Sequence, residues 1–204
     1  MTIGKYYYYY FYSMMDTKGF TDGDSDTPIM TDSPLMRAAL SNNKDLVIHL
    51  LQGGTDIDER DSQSKTPLMR CAAKGLAEMC QVLLQCGTDA SLVDKHGTNA
   101  LMWACLEGEQ EVVDVLLQHG GLDLDAVESW AGHTAFMWAA LNNSPDIVKM
   151  LISRGVCLRV RDRWGKTAKD RAAKFRHDEV VRLIEEEEKR RGEFPFYIYS
   201  GRFV

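Results

Sequence analysis

The sequence predicts an all-α fold, a solenoid of stacked helix pairs with protruding β-turn or hairpin fingers. Three observations carry the prediction. Gly54, Gly87 and Gly120 lie 33 residues apart and Gly155 follows after 35, each closing one phrase: Leu50-Leu51-Gln52-Gly53-Gly54, Leu83-Leu84-Gln85-Cys86-Gly87, Leu116-Leu117-Gln118-His119-Gly120 and Leu151-Ile152-Ser153-Arg154-Gly155. A second phrase recurs in step with the first: Ser33-Pro34-Leu35-Met36, Thr66-Pro67-Leu68-Met69, Asn99-Ala100-Leu101-Met102 and Thr134-Ala135-Phe136-Met137, with Thr167-Ala168-Lys169-Asp170 as a polar fifth copy. Between them runs a turn-rich stretch such as Thr55-Asp56-Ile57-Asp58-Glu59-Arg60-Asp61, too short for another helix. A fixed period of this length marks repeats that stack to build a common core.

Each element follows from local chemistry. Ser, Thr or Asn at the opening accepts backbone N–H groups at a helix start. Proline is tolerated at the first helical position, where its missing N–H costs nothing. The small pairs Ala38-Ala39, Cys71-Ala72, Ala104-Cys105, Ala139-Ala140 and Ala172-Ala173 let a second helix approach. That helix carries the apolar run, as in Leu46-Val47-Ile48, Val112-Val113 and Ile147-Val148, and the glycine after it supplies the left-handed residue that stops it. The units are expected at about 33–60, 61–93, 94–127, 128–161 and 162–188, with segments 1–32 and 189–204 outside them.

These motifs resemble the ankyrin repeat, a β-turn followed by two antiparallel helices in about 33 residues. The resemblance covers roughly Ser33 to Glu188. Family repeats usually place His after the Thr-Pro-Leu opening; here Met36, Met69, Met102, Met137 and Asp170 stand there. A column of Met would fill that space with flexible apolar bulk. Trp103 and Trp138, directly after two of these Met, are expected in the core. The two extra residues between Gly120 and His133 should enlarge or kink that finger.

The ends differ. Unit five is polar and closes with Glu185 to Glu188 and Lys189-Arg190-Arg191, opposite charges at i, i+3 and i, i+4 that support an exposed terminal helix. Unit one has an apolar second helix, and the aromatic run Tyr6–Tyr12 is a cap over it, a disordered tail, or a stretch ahead of a true start at Met14 or Met15. The Asp-rich stretch from Asp16 to Asp26 favours disorder. The tail Glu193–Val204 is apolar enough to pack on the last repeat or to be presented to a partner.

The bulk numbers exclude several function classes. The 204 residues are 45% hydrophobic and 26% charged, an ordinary globular composition. A formal charge of −6 makes nucleic acid an unfavoured partner, because phosphates must be neutralised by Lys and Arg. No apolar stretch approaches the ~20 residues needed to cross a bilayer, and the aromatic start is not a signal peptide. Cys71, Cys80, Cys86, Cys105 and Cys157 are odd in number and include no Cys-x-x-Cys pair. They read as reduced thiols used as small apolar residues, which points to cytosol or nucleus. No metal-binding histidine spacing, nucleophile elbow or phosphate loop is present, so no catalytic residue, cofactor or metal is expected.

Function is therefore expected on the surface. In the resembled family, partners are held by turn tips and by the exposed face of each first helix. The matching positions here are Arg60, Lys65, Lys74, Lys95, His96, Leu106, Trp130, His133, Leu141, Arg161, Arg163, Trp164, Lys166 and Phe175. They are mostly basic or aromatic, and Trp130 and Trp164 stand out because Trp and Arg are enriched among interface hot spots. Asp162 could form a local ion pair with Arg161 or Arg163. The implied function is non-catalytic binding of a protein or peptide, preferably an acidic one, by a monomeric adaptor, scaffold or inhibitor. The alternative is a nucleic-acid-associated regulator using the same basic stripe.

Overall fold

The computed structural model describes residues 32–192, and the aromatic run Tyr6–Tyr12, the Asp-rich stretch and the tail Glu193–Val204 lie outside them. The described residues form ten helices in five pairs: α1 (Pro34–Leu40) with α2 (Lys44–Gln52), α3 (Pro67–Ala73) with α4 (Ala77–Gln85), α5 (Ala100–Glu107) with α6 (Gln110–His119), α7 (Ala135–Leu141) with α8 (Pro145–Ser153), and α9 (Ala168–Lys174) with α10 (Asp178–Arg190). The first helices stack in chain order, α1 on α3, α3 on α5, α5 on α7 and α7 on α9, and α4, α6, α8 and α10 stack beside them.

The openings act as caps. The side chains of Ser33, Thr66, Asn99, Thr134 and Thr167 accept from the backbone N–H three residues on. In unit five, Asp170 returns the bond to the Thr167 N–H and completes a capping box. Met36, Met69, Met102 and Met137 are each about 1% exposed, so the Met column is core packing. Trp103 and Trp138 are buried as well, at 4% and 0% exposed. Cys71, Cys80 and Cys105 are buried thiols, and burial pushes Cys80 up to about 12.

Gly54, Gly87 and Gly155 take positive φ of 85°, 90° and 82°. At these three stops the glycine N–H and the following amide bond back to the last helical turn, as in Gly87 to Leu84 and Thr88 to Leu83. The stop after α6 differs: the helix runs to His119, and Gly120 and Gly121 both have positive φ. One of the two extra residues is absorbed there.

The other extra residue enlarges the finger. Fingers two, three and five are closed by Asp61 N–H to Lys65 O, Asp94 N–H to Thr98 O and Asp162 N–H to Lys166 O. Finger four is closed by Glu128 N–H to His133 O, one residue wider. Successive tips are joined by one backbone bond each, Lys95 N–H to Gln63 O at 3.2 Å, Ser129 N–H to His96 O at 2.8 Å and Arg163 N–H to Ala131 O at 2.9 Å. The fingers are turns; among the described residues no strand forms, so the expected hairpins are not observed.

Two expected boundaries shift. Asp32 belongs to the array: its carboxylate lies 3.5 Å from Arg70 and its carbonyl accepts from Arg37. Helix α10 continues past Glu188 to Arg190. The anticipated charge pairs form at i, i+3 and i, i+4, from Arg190 and Arg191 to Glu187, but Glu187 is buried rather than exposed. The Arg190 and Arg191 bonds hold its carboxyl down at about 2. Arg191 also donates to the Val156 and Ile152 carbonyls, fastening α10 to the end of α8.

Candidate functional site: the finger side

Each finger is organised by one acid. Asp61, Asp94 and Asp162 accept from the amides two and four residues on: Gln63 and Lys65, His96 and Thr98, Trp164 and Lys166. Glu128 does the same work in the wider finger, accepting from Trp130, Ala131 and His133. One added residue in the turn is matched by one added methylene in the acid. Asp94, Glu128 and Asp162 are 5%, 1% and 5% exposed, so these acids are withdrawn from solvent.

Behind the acids lies a second column, Arg70, Trp103, Trp138 and Arg171, one each from α3, α5, α7 and α9. Arg70 pairs with Asp61 at 3.0 Å. The Trp103 indole N–H donates to Asp94 at 3.1 Å. Arg171 pairs with Asp162 at 2.5 Å, with both side chains buried. Burial works to raise the Asp162 carboxyl, but the Lys166 amide and Arg171 outweigh it and hold it below the usual range. Glu128 goes the other way, because burial raises it more than its amide bonds lower it.

His133 is fully buried, edge-on to Trp138 with centroids 4.7 Å apart. Its ring nitrogens lie 3.9 Å from Glu128 and 3.5 Å from Asp162. Desolvation, with Arg171 nearby, pulls it down to about 4 against the opposing pull of Asp162, so the ring is neutral at neutral pH.

The structure sorts the expected partner-binding residues into two groups. Arg60, Lys74, Lys95, Arg161, Arg163, Trp164 and Lys166 are exposed, and His96 and Phe175 are half-exposed. Three expectations are corrected. Leu106 and Leu141 are 1% and 0% exposed, because the first helices of adjacent units stack over them. His133 is buried in the aromatic cluster just described. Two more are reduced. Lys65 is half-buried with its ammonium 3.7 Å from the Trp103 ring centroid, and burial pulls it down to about 8. Trp130 is half-buried against His133 and Trp138, at centroid distances of 5.9 and 6.2 Å. The local ion pair expected between Asp162 and a flanking arginine does not form either. Asp162 is taken by Arg171, Arg161 donates to the Gly165 carbonyl and Arg163 donates to the Ser129 carbonyl.

One exposed finger residue, Val127, escaped the sequence reading; Val93 is one of the tip positions matched to the family. Val93 and Val127 are 41% and 50% exposed, at the position that Arg60 and Arg161 occupy in the outer fingers. The signal was their shared place, directly before the capping acid. A shallow depression near Asp32, Met36 and Arg60 holds only about 70 Å³, well short of the ~300–1,000 Å³ of small-molecule sites. Among the described residues no group of three or more His, Cys, Asp or Glu is placed to hold a metal ion. No helix among them is long and apolar enough to cross a membrane.

A family model for ankyrin repeats, three copies, matches residues 35–128 and 121–191. The chain belongs to the ankyrin-repeat family. Ankyrin repeats generally mediate protein–protein interaction, and proteins built from them are generally non-catalytic. A search of curated proteins finds no match.

Proposed function

We propose that this ankyrin-repeat chain is a non-catalytic adaptor, scaffold or inhibitor that grips a protein partner on its finger side. The observation that carries the reading is a separation of charge. On the fingers the acids are drawn inward as caps, while Arg60, Lys95, Arg161, Arg163 and Lys166 face solvent. On the second helices the exposed residues include Asp45, Glu78, Glu111, Asp114, Asp146 and Glu179. An acidic chain thereby turns a basic face outward on one side, which steers an acidic partner and sets its orientation. The caps and seam bonds fix the finger backbone in advance, so little ordering cost is incurred on binding. Buried thiols used as packing support an intracellular, reducing setting as part of the same reading.

The test is quantitative affinity capture with the full chain, comparing wild type, Arg60→Glu/Lys95→Glu/Arg163→Glu, and Lys149→Glu on α8 as a control. Partners should be lost with the finger variant and kept with the control. Identical partner sets for all three would overturn the reading.

A further inference from the structure

Between Arg159 and Arg176 the chain carries eight Lys or Arg residues, a third of its 24, against two aspartates. Nothing in the repeat fold requires this density, since units two to four stack with far fewer cations on the same elements. The two aspartates do not cancel it. Asp162 is buried and taken by Arg171, and Asp170 is engaged by the Thr167 amide in its capping box. Lys169 pairs with Glu188 at 2.5 Å. Arg159, Arg161, Arg163, Lys166, Lys174 and Arg176 remain at the surface.

Three of these residues, Arg161, Arg163 and Lys166, share a turn with an exposed indole. Trp164 sits in the turn between Arg163 and Lys166, 48% exposed, making it one of the few large apolar side chains that face solvent among the described residues. Its inner side rests on Arg171, 5.0 Å from ring centroid to guanidinium carbon. The flanking guanidinium groups are held in place, Arg161 on the Gly165 carbonyl at 2.7 Å and Arg163 on the Ser129 carbonyl of the neighbouring finger. Each spends one N–H group on that bond and has others for a ligand, since a guanidinium carries five. A planar apolar surface framed by pre-oriented guanidiniums suits a carboxylate-rich ligand with a flat side chain at its centre. Bare polyanions use the charge and leave the indole unused.

We propose that finger five is the anchor point of the partner, and that it takes an acidic peptide segment with an aromatic residue between its carboxylates. This rests on the finger-side reading above and assigns it a place and a chemistry. The aromatic residue stacks on Trp164, and the carboxylates on either side pair with Arg161, Arg163 and Lys166.

The experiment uses the full chain and a short fluorescein-labelled peptide of Asp and Glu around a central Phe, followed by fluorescence anisotropy. Arg161→Glu/Arg163→Glu should weaken binding by at least about tenfold, while Arg60→Glu/Lys95→Glu on fingers two and three changes it by less than about threefold. Replacing the central Phe of the peptide by Ala should weaken binding to wild type several-fold and leave binding to the Trp164→Ala chain unchanged. All these side chains are exposed, so circular dichroism melting should confirm that the variants fold. Equal binding by wild type and the Arg161→Glu/Arg163→Glu chain overturns the proposal. So does tighter binding of a single-stranded oligonucleotide of the same charge. If the reversal at fingers two and three weakens binding and the reversal at finger five does not, the anchor is misplaced and the finger-side reading stands. Loss of that reading is scored separately, by the capture experiment.

Discussion

Fingers four and five each carry a tryptophan two residues after the capping acid, and they bury it to different depths. Both rings lie near His133, at centroid distances of 5.9 and 6.3 Å, but Trp130 also packs against Trp138, whereas Trp164 stands half in solvent. The difference lies beneath the fingers. In unit four the first helix offers an indole, and the wider turn with buried Ala131 lets the second ring settle on it. In unit five the same helix position is Arg171, spent on Asp162, and its guanidinium supports Trp164 without enclosing it. An aromatic residue at a repeat tip is thus core or contact surface according to the residue one turn into the following helix.

The largest effect that would break this comparison is loss of the ring under finger four. Trp138→Ala should cost about 3–5 kcal/mol in denaturant unfolding, because a fully buried indole leaves a cavity; a cost below 1 kcal/mol would mean that the cluster is not the support inferred. Next comes acid. The buried His133 takes up its proton only near pH 4 and the unfolded ring near 6.5. The unfolded state therefore binds more protons in that window, and stability should drop as pH falls through it, by up to about 1.4 kcal/mol per pH unit. His133→Phe, which keeps a ring against Trp138 but cannot titrate, should flatten the slope; an unchanged slope would place the titration elsewhere.

Smaller effects sharpen the contrast. Trp130→Ala should cost about 2 kcal/mol, and Glu128→Asp about 1–2 kcal/mol, since the shorter acid cannot reach three amides across the wider turn. A Glu128→Asp chain that melts like wild type would show that reach is not what selects Glu. Trp164→Ala should cost less than about 1 kcal/mol. Comparable losses for Trp130→Ala and Trp164→Ala would erase the distinction between the two fingers.

Much of this was legible in the sequence where a residue's fate depends on its own unit. The 33-residue step gave the helix stops, the caps and the buried Met and Trp columns, because each is fixed by a local bond or by the facing small pair. Leu106, Leu141 and His133 were misread because their burial depends on the adjacent unit. Their place corresponds to Lys174 and Lys166 in unit five, which are exposed, and register alone does not separate the two environments. The switch from Asp to Glu at position 128 was visible beside the 35-residue step. It becomes meaningful only once the turn is seen to be one residue wider.

The seam bonds between fingers give the molecule a mechanical grain. Each joint between neighbouring tips has one backbone amide, that of Lys95, Ser129 or Arg163, backed by one side-chain bond from Arg60, Ser129 or Arg163. An array of this kind yields joint by joint, since every unit couples only to its neighbours. Hydrogen exchange at those three amides therefore acts as three independent gauges. A ligand seated on one finger would slow the gauge beside it first, and the order of slowing would trace how far its grip spreads along the row.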